Sequence, residues 1–256
     1  MASWGAKRQI EYFFMLVLVL AAVGSAAFFY YRPAPSCFDG KQNQNETGID
    51  CGGACQAVCR DEILALKPLW TRVLKLGDSF YDSVTLVENP NLNLGIKKLS
   101  YVIKFLDSDN RLITERSGET FVNPNESFAI FESQIEVGER VPARAFFELG
   151  AERPLWQRVS IADRPDLDVE EGIFVNQPTP SLRARIINRS TRPVVDVDVA
   201  AILQDAEKNT IGASATRVDA LPPGESRELV FTWPTPFDPP PVFHQFYPHF
   251  NFTDLH

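Results

Sequence analysis

The chain has 256 residues, of which 45% are hydrophobic and 23% are charged, and this balance excludes an intrinsically disordered chain. It carries 25 basic and 33 acidic residues, a net charge of −8, and no dense run of lysine and arginine. A nucleic-acid-binding protein normally presents a basic surface, so nucleic acid is excluded as an expected partner.

The N-terminal region predicts a transmembrane helix over residues 12–31. Tyr12–Tyr31 contains no charged residue, and a bilayer is crossed by about 20 apolar residues. Aromatic residues cluster at both ends of the run, as in interfacial belts. Lys7 and Arg8 precede the run, and only Arg32 closely follows it. The positive-inside rule therefore places residues 1–11 in the cytoplasm and everything after Arg32 outside the cell membrane.

A cleaved signal peptide is the alternative interpretation of this run. Gly24, Ser25, Ala26 and Ala27 are small residues of the kind found at cleavage sites. However, the hydrophobic region of a signal peptide is shorter and does not continue into four aromatic residues such as Phe28–Tyr31. We therefore expect an uncleaved anchor, with the lipid bilayer as partner through Tyr12–Tyr31.

Residues 32–60 form a cysteine-rich loop that contains Cys37, Cys51, Cys55 and Cys59, the four cysteines of the chain. Outside the membrane the compartment is often oxidising, so the cysteines are expected to form two disulfides. The spacing contains neither the paired C-x2-C knuckles of a zinc site nor a C-x-x-C redox motif. Four cysteines allow three pairings, and the spacing does not choose among them.

The same loop is rich in oxygen donors, which makes calcium the one candidate cofactor. The candidate ligands are Asp39, Asn43, Asn45, Thr47 and Asp50. Asn43, Asn45 and Thr47 match positions 1, 3 and 5 of a calcium loop, but position 12, where a bidentate acid belongs, is Ala54. Because that ligand is missing, turns stabilised by Asn and Asp side chains are the favoured explanation.

The remainder of the chain predicts an all-β fold. Residues 61–67 (DEILALK) predict a short helix, with acidic residues first, Lys67 last and Pro68 after it. From about residue 69 onward, short alternating runs are separated by turns, which is typical of sandwiches and barrels.

An internal repeat predicts two tandem immunoglobulin-like β-sandwiches, at residues 68–162 and 163–256. The strand Tyr101–Asp107 matches Val199–Asp205, and the two aspartates are 205 − 107 = 98 residues apart. A Pro-x-Glu-Ser turn follows in each unit, at Pro124–Ser127 and Pro223–Ser226. A period of about 100 residues is the size of an immunoglobulin-like domain.

Three stretches carry a resemblance to a family. The sequence has an N-terminal anchor, a C-x-DG-x-QN-x-x-ET-G-x-DCGG loop, and ENPN followed by GERVPAR. It resembles uncharacterised membrane-anchored proteins of uncultivated bacteria with small genomes, and its Pro-x-Glu-Ser turn is similar to that of FxLYD-type immunoglobulin-like domains. The resemblance implies architecture and topology, and it brings no active-site residues.

No catalytic motif is found in the sequence, which lacks a G-x-S-x-G elbow, a P-loop, a G-x-G-x-x-G loop and an H-E-x-x-H helix. We therefore expect a membrane-anchored extracytoplasmic protein with an interaction or structural role, such as adhesion or envelope assembly, and not an enzyme. The alternative is an extracytoplasmic solute-binding or enzyme accessory subunit, which a deep pocket lined by polar groups would indicate.

Overall fold

A computed structural model describes residues 4–31, 34–151, 154–161 and 164–252. It contains one α-helix, α1 (Trp4–Tyr31), and one 3-10 helix, Arg60–Glu62. The predicted junction between residues 162 and 163 and the end of the predicted second domain, 253–256, lie outside the described residues. Thirteen strands follow the helices: β1 (Lys67–Lys75), β2 (Phe80–Asn89), β3 (Leu94–Leu106), β4 (Leu112–Val122), β5 (Glu126–Glu136), β6 (Arg144–Leu149), β7 (Trp156–Arg158), β8 (Leu167–Val175), β9 (Ser181–Asn188), β10 (Val194–Gln204), β11 (Thr210–Leu221), β12 (Ser226–Thr232) and β13 (Phe243–His249).

A helix is present where the transmembrane segment is predicted, and it extends further toward the N-terminus than expected. Within the described residues, the segment Arg8–Tyr31 is the one helix whose length and composition would allow it to cross a bilayer, and none of its most apolar stretch is buried in the protein. The helix begins at Trp4 because Ala, Lys, Arg, Gln and Glu, which favour helix, precede the apolar run. An exposed apolar helix of this length fits a membrane-anchored protein.

The prediction of an all-β chain built from sandwiches is confirmed. The chain divides into two compact units, Met1–Cys55 and Gln56–His256, and the second contains every strand. In the first sandwich, the sheet β1-β2-β5 faces the sheet β4-β3-β6, with β7 continuing the β6 edge of β3. In the second sandwich, β8-β9-β12 faces β11-β10-β13. Each sandwich has its own buried apolar core. The strand order and the layering of the first sandwich are repeated in the second.

The aspartates that define the sequence repeat occupy equivalent turns. Asp107 follows β3, and its Oδ1 accepts the backbone N–H of Arg111 at 2.9 Å. Asp205 follows β10, and its Oδ1 accepts the backbone N–H of Asn209 at 2.7 Å. The backbone N–H of Asp107 also donates to the Arg111 carbonyl, and the backbone N–H of Asp205 donates to the Asn209 carbonyl, both at 3.0 Å. The turn chemistry of an aspartate that captures a downstream N–H therefore explains the repeated spacing.

The two sandwiches pack face to face within the second unit. Val84 of β2 is fully buried against Ile202 of β10 and Ala213 of β11, and partly buried side chains from both sandwiches surround this contact. The sheets β1-β2-β5 and β11-β10-β13 are therefore inner layers with both faces covered. This accounts for the seven consecutive buried residues of β2, from Tyr81 to Val87.

The helix predicted over residues 61–67 is wrong. The chain makes only the single 3-10 turn Arg60–Glu62 and is extended by Ile63, with φ −91° and ψ 118°. The Leu64 N–H donates to Asn91 Oδ1 at 2.8 Å, and Asn91 Nδ2 donates to the Leu64 carbonyl at 2.7 Å. These bonds hold the backbone extended into β1, so a tertiary contact overrides the local helix propensity.

Candidate functional site

The cysteine-rich loop is closed by disulfides, as predicted. Cys37 and Cys55 are bonded, with their Cα atoms 5.7 Å apart and a sequence separation of 18. Cys51 and Cys59 are also disulfide-bonded, and no cysteine is free. The sequence allowed three disulfide pairings, and the structure selects the one that contains Cys37–Cys55.

The predicted calcium ligands Asp39 and Asp50 bind backbone amides. Asp50 Oδ1 accepts the N–H of Asp39 at 3.0 Å, and Asp50 Oδ2 accepts the N–H of Gly40 at 2.9 Å. Asp39 Oδ2 accepts from Asn43 Nδ2 at 2.8 Å, and Oδ1 accepts the Lys41 N–H at 2.9 Å. The Asn43 amide is the main reason that the pKa of Asp39 lies below its ordinary value. These bonds define turns stabilised by aspartate side chains.

The remaining predicted ligands, Asn45 and Thr47, contribute their backbone carbonyls to the same cluster of turns. Asn45 adopts a positive φ of 65°, and its carbonyl lies so close to Gly53 that a Cβ at that position would be 1.8 Å from the oxygen. The Thr47 carbonyl accepts from Gln42 Nε2 at 3.1 Å. Calcium binding stays a prediction. To bind the ion, the Asp39 and Asp50 carboxylates would have to give up hydrogen bonds that they now accept from N–H groups.

Glu46 is the buried acid of this loop, and the sequence did not single it out. Its side chain is 6% exposed, and Oε2 accepts the N–H groups of Asn43 at 3.2 Å and Asp50 at 3.3 Å. Its Oε1 lies 3.0 Å from the sulfur of Cys55. Cys37, Glu46 and Cys55 thus bring potential metal ligands within 4.8 Å of one another, but sulfurs in a disulfide offer no thiolate.

Replacing both Cys37 and Cys55 with serine should loosen the loop without destabilising the sandwiches. Closing a loop of this length contributes about 3 kcal/mol in the chain-entropy model, and the loop has too few apolar residues to replace that contribution by burial. Limited proteolysis should cut residues 38–50 faster in the variant, while the melting temperature of the β unit stays within about 2 °C of wild type. Ser36→Ala, which changes neither sulfur, serves as the control, and a large fall in melting temperature would contradict the local role.

A buried histidine lies where the two sandwiches meet. His249 of β13 is 6% exposed, and its ring is stacked between Phe121 of β4 and Phe128 of β5, with centroid distances of 4.0 and 4.7 Å. Its Nε2 is 3.4 Å from Thr120 Oγ1, and its Nδ1 is 3.4 Å from Glu126 Oε2. Both distances are longer than an ordinary hydrogen bond of about 2.7–3.2 Å. The stacking makes His249 a packing group that joins the sandwiches.

Hydrogen bonds reinforce the same junction. Asn123 Nδ2 donates to Glu126 Oε2 at 2.7 Å and to the carbonyl of Phe250, in the second sandwich, at 2.9 Å. Arg164 Nη2 lies 3.6 Å from Glu126 Oε1, and the Arg164 guanidinium stacks over the ring of Phe252. The buried Glu126 carboxylate is therefore hydrogen-bonded by Asn123 and paired with the Arg164 guanidinium.

A cleft of about 280 Å³ opens beside His249, between the sandwiches. Tyr101 lines it and donates its hydroxyl to Glu132 Oε1 at 2.6 Å. Burial, and after it this hydrogen bond to a carboxylate, raises the pKa of Tyr101 far above its ordinary value. On the opposite wall, Arg217 forms a two-pronged ion pair with Asp198, with both distances 2.7 Å. The polar groups of the cleft are thus largely paired with one another.

Asp82 should lower the stability of the protein at neutral pH, because burial raises the pKa of its carboxyl group. The side chain is 6% exposed and accepts the Gln134 N–H at 2.9 Å, which an asparagine oxygen can also accept. A raised folded-state pKa penalises the charged form, so the cost is present at neutral pH and disappears as the pH falls through the folded pKa. Asp82→Asn should therefore raise the free energy of unfolding at pH 7, and this gain should disappear as the pH falls below the ordinary pKa of an aspartate.

Urea unfolding at several pH values measures this difference. Asp78→Asn, the same change at an exposed aspartate, should have no effect beyond about 0.5 kcal/mol. A loss of stability in Asp82→Asn at pH 7 would mean that the charged carboxylate is favourable in the fold.

Comparison with known proteins gives no family. No protein-family model matches the chain, and no curated protein matches it either. Among solved structures, a crystal structure of red sea bream transglutaminase is similar over 68% of this chain and 28% of its own, with 12% identity and a TM-score of 0.25. A likeness at that score carries no conclusion about fold or activity.

Proposed function

We propose that this chain is a single-pass protein of the cell membrane, with residues 1–11 in the cytoplasm and the β sandwiches outside. The observation that carries the proposal is the full set of oxidised cysteines directly after an exposed apolar helix. Disulfides persist in oxidising compartments and are rare in the cytosol. The basic residues Lys7 and Arg8 on the N-terminal side support the same orientation.

Protease added to intact cells tests the orientation. A chain tagged at both ends should lose its C-terminal tag and keep its N-terminal tag, because the bilayer shields residues 1–11. Both tags should be lost when detergent opens the membrane. Retention of the C-terminal tag on intact cells would place the sandwiches on the cytoplasmic side and refute the proposal.

The sandwiches serve an interaction or structural role, as in adhesion or envelope assembly, and not catalysis. Two filled apolar cores and a packed junction support a stable scaffold. The outer sheets carry cross-strand ion pairs, such as Lys104–Glu148 at 2.5 Å and Arg183–Glu228 at 3.2 Å. The resemblance to membrane-anchored bacterial proteins with immunoglobulin-like domains agrees with this architecture and topology. The partner that fits is an envelope protein, and not nucleic acid.

A solute-binding or enzyme accessory subunit is the second candidate, and the cleft beside His249 favours it. Cross-linking on intact cells followed by purification through a C-terminal tag separates the two candidates. The interaction role predicts a protein cross-linked in stoichiometric amount and no retained small molecule in native mass spectrometry. A retained small molecule, lost when Ala215→Trp fills the cleft wall, would support the second candidate instead.

A further inference from the structure

Two apolar side chains of the cysteine-rich loop are held in solvent. Phe38 is 92% exposed, and Ile49 is 64% exposed. Both lie in a segment whose other residues between Cys37 and Cys51 are mostly polar. Exposed apolar side chains mark a contact surface when they form a contiguous patch.

The backbone that carries these side chains is fixed. Phe38 follows Cys37 of the Cys37–Cys55 disulfide, and Ile49 lies in the tight turn closed by the bridge between Gly48 and Cys51. The Asp50 carboxylate joins the two turns, because it accepts the N–H groups of Asp39 and Gly40, which directly follow Phe38. Phe38 and Ile49 are therefore presented by one rigid pair of turns.

The length of the chain keeps these side chains within reach of the membrane. Phe38 is seven residues after Tyr31, where α1 ends, so its Cα lies within about 25 Å of the end of the helix. The headgroup region of a bilayer is about 5–8 Å thick on each side, and apolar side chains of surface-bound segments enter it by about 5–10 Å. The short segment between Tyr31 and Phe38 acts as a tether, and it keeps the turns at a high effective concentration beside the membrane.

We propose that Phe38 and Ile49 form a second contact with the membrane, inserting into the headgroup region of the leaflet in which α1 ends. This inference rests on the proposed anchor and goes beyond it. The segment carries Asp39, Glu46 and Asp50 against the single cation Lys41. It therefore suits a zwitterionic phosphatidylcholine surface and is repelled by an anionic one. The contact would fix the orientation of the loop on the membrane.

Site-specific photocross-linking in vesicles tests the contact. The full chain is reconstituted in phosphatidylcholine vesicles with p-benzoylphenylalanine replacing one residue at a time: Phe38, Leu18 within α1, or Val141 in the β5–β6 loop. Leu18 and Val141 are both exposed in the protein, at 68% and 70%. Position 38 should form phospholipid adducts, detected by mass spectrometry, in roughly tenfold higher yield than position 141, because the short tether to α1 holds position 38 beside the bilayer.

The three positions separate the failure of this inference from the failure of the anchor. Adducts at 18 and 38, with few at 141, support the contact. Lipid adducts at 18 with only protein adducts at 38 would overturn it in favour of contact with a second copy of the chain. Equal yields of lipid adducts at positions 38 and 141 would mean that labelling by lipid is not specific to the loop, and would overturn the contact. The absence of lipid adducts at position 18 would overturn both the anchor and the contact.

Discussion

Asn188→Ala should lower the free energy of unfolding by about 4 kcal/mol, because it removes the side-chain hydrogen bonds to three backbone groups. Asn188 is fully buried at the end of β9, and its Nδ2 donates to the carbonyls of Arg192 at 2.7 Å and Leu221 at 2.9 Å. Its Oδ1 accepts the Ser190 N–H at 3.0 Å. Each buried group left unsatisfied costs about 1–3 kcal/mol.

Asn89→Ala should have an effect of the same size, because Asn89 is the equivalent residue of the first sandwich. The two asparagines are 188 − 89 = 99 residues apart. Asn89 is 1% exposed, donates to the carbonyls of Leu94 and Asn123, both at 2.8 Å, and accepts the Asn91 N–H at 3.1 Å. The same clamp thus ties the end of the second strand to the start of the third strand or the loop before it, and to the end of the fourth strand, in each sandwich.

Denaturant unfolding of both variants checks this prediction. Asn209→Ala is the matched control, since its side chain makes an exposed bond to Asp205 and its loss should cost less than about 0.5 kcal/mol. A loss below about 1 kcal/mol in either clamp variant would show that water replaces the missing amide, and would contradict the clamp.

Val84→Asp should destabilise both sandwiches at once, although Val84 belongs only to the first. Its side chain is fully buried between Ile202 and Ala213 of the second sandwich. An unpaired carboxylate at this position should lower the free energy of unfolding by about 4 kcal/mol. The loss arises at the contact between the two sandwiches, so it weakens both. The second sandwich should therefore begin to unfold at a lower temperature even though none of its own residues has changed.

Calorimetry combined with hydrogen exchange resolved by peptide measures this coupling. Wild type should show one transition, with exchange in β10 and β2 protected to a similar degree. Val195→Asp places the same charge at a half-exposed position of β10 and should cost less than about 1 kcal/mol. If Val84→Asp lowered the transition of the first sandwich alone, the two sandwiches would be independent domains.

Much of the architecture could be predicted because local chemistry decides it. The uncharged run Tyr12–Tyr31 predicts a spanning helix from length alone. Asp107 and Asp205 predict strand ends because an aspartate that captures a downstream N–H makes its own turn. Clustered cysteines predict disulfides, although their spacing left three pairings equivalent until the fold brought Cys37 to Cys55.

The features that could not be predicted depend on contacts that are distant in sequence. The segment 61–67 has helical propensity, but Asn91 holds it extended from 27 residues away. The continuous apolar run Val199–Leu203 was a signal that β10 is covered on both faces. The sequence of β2 shows no such continuous apolar run, because it is interrupted by Ser83 and Thr85, which are polar and nevertheless buried. Asn89 and Asn188 are 99 residues apart, as are the Pro-x-Glu-Ser turns that begin at Pro124 and Pro223, and this shared spacing is the signal that could have revealed the clamps.

Thiol trapping on intact cells tests most directly the claim that this protein presents an oxidised loop outside the membrane. A membrane-impermeant maleimide should add no mass without a reductant, because no cysteine is free. After treatment with an impermeant phosphine it should label Cys37, Cys51, Cys55 and Cys59, since Cys37 and Cys51 are partly exposed. Labelling without reductant, or labelling that requires cell lysis, would contradict the account.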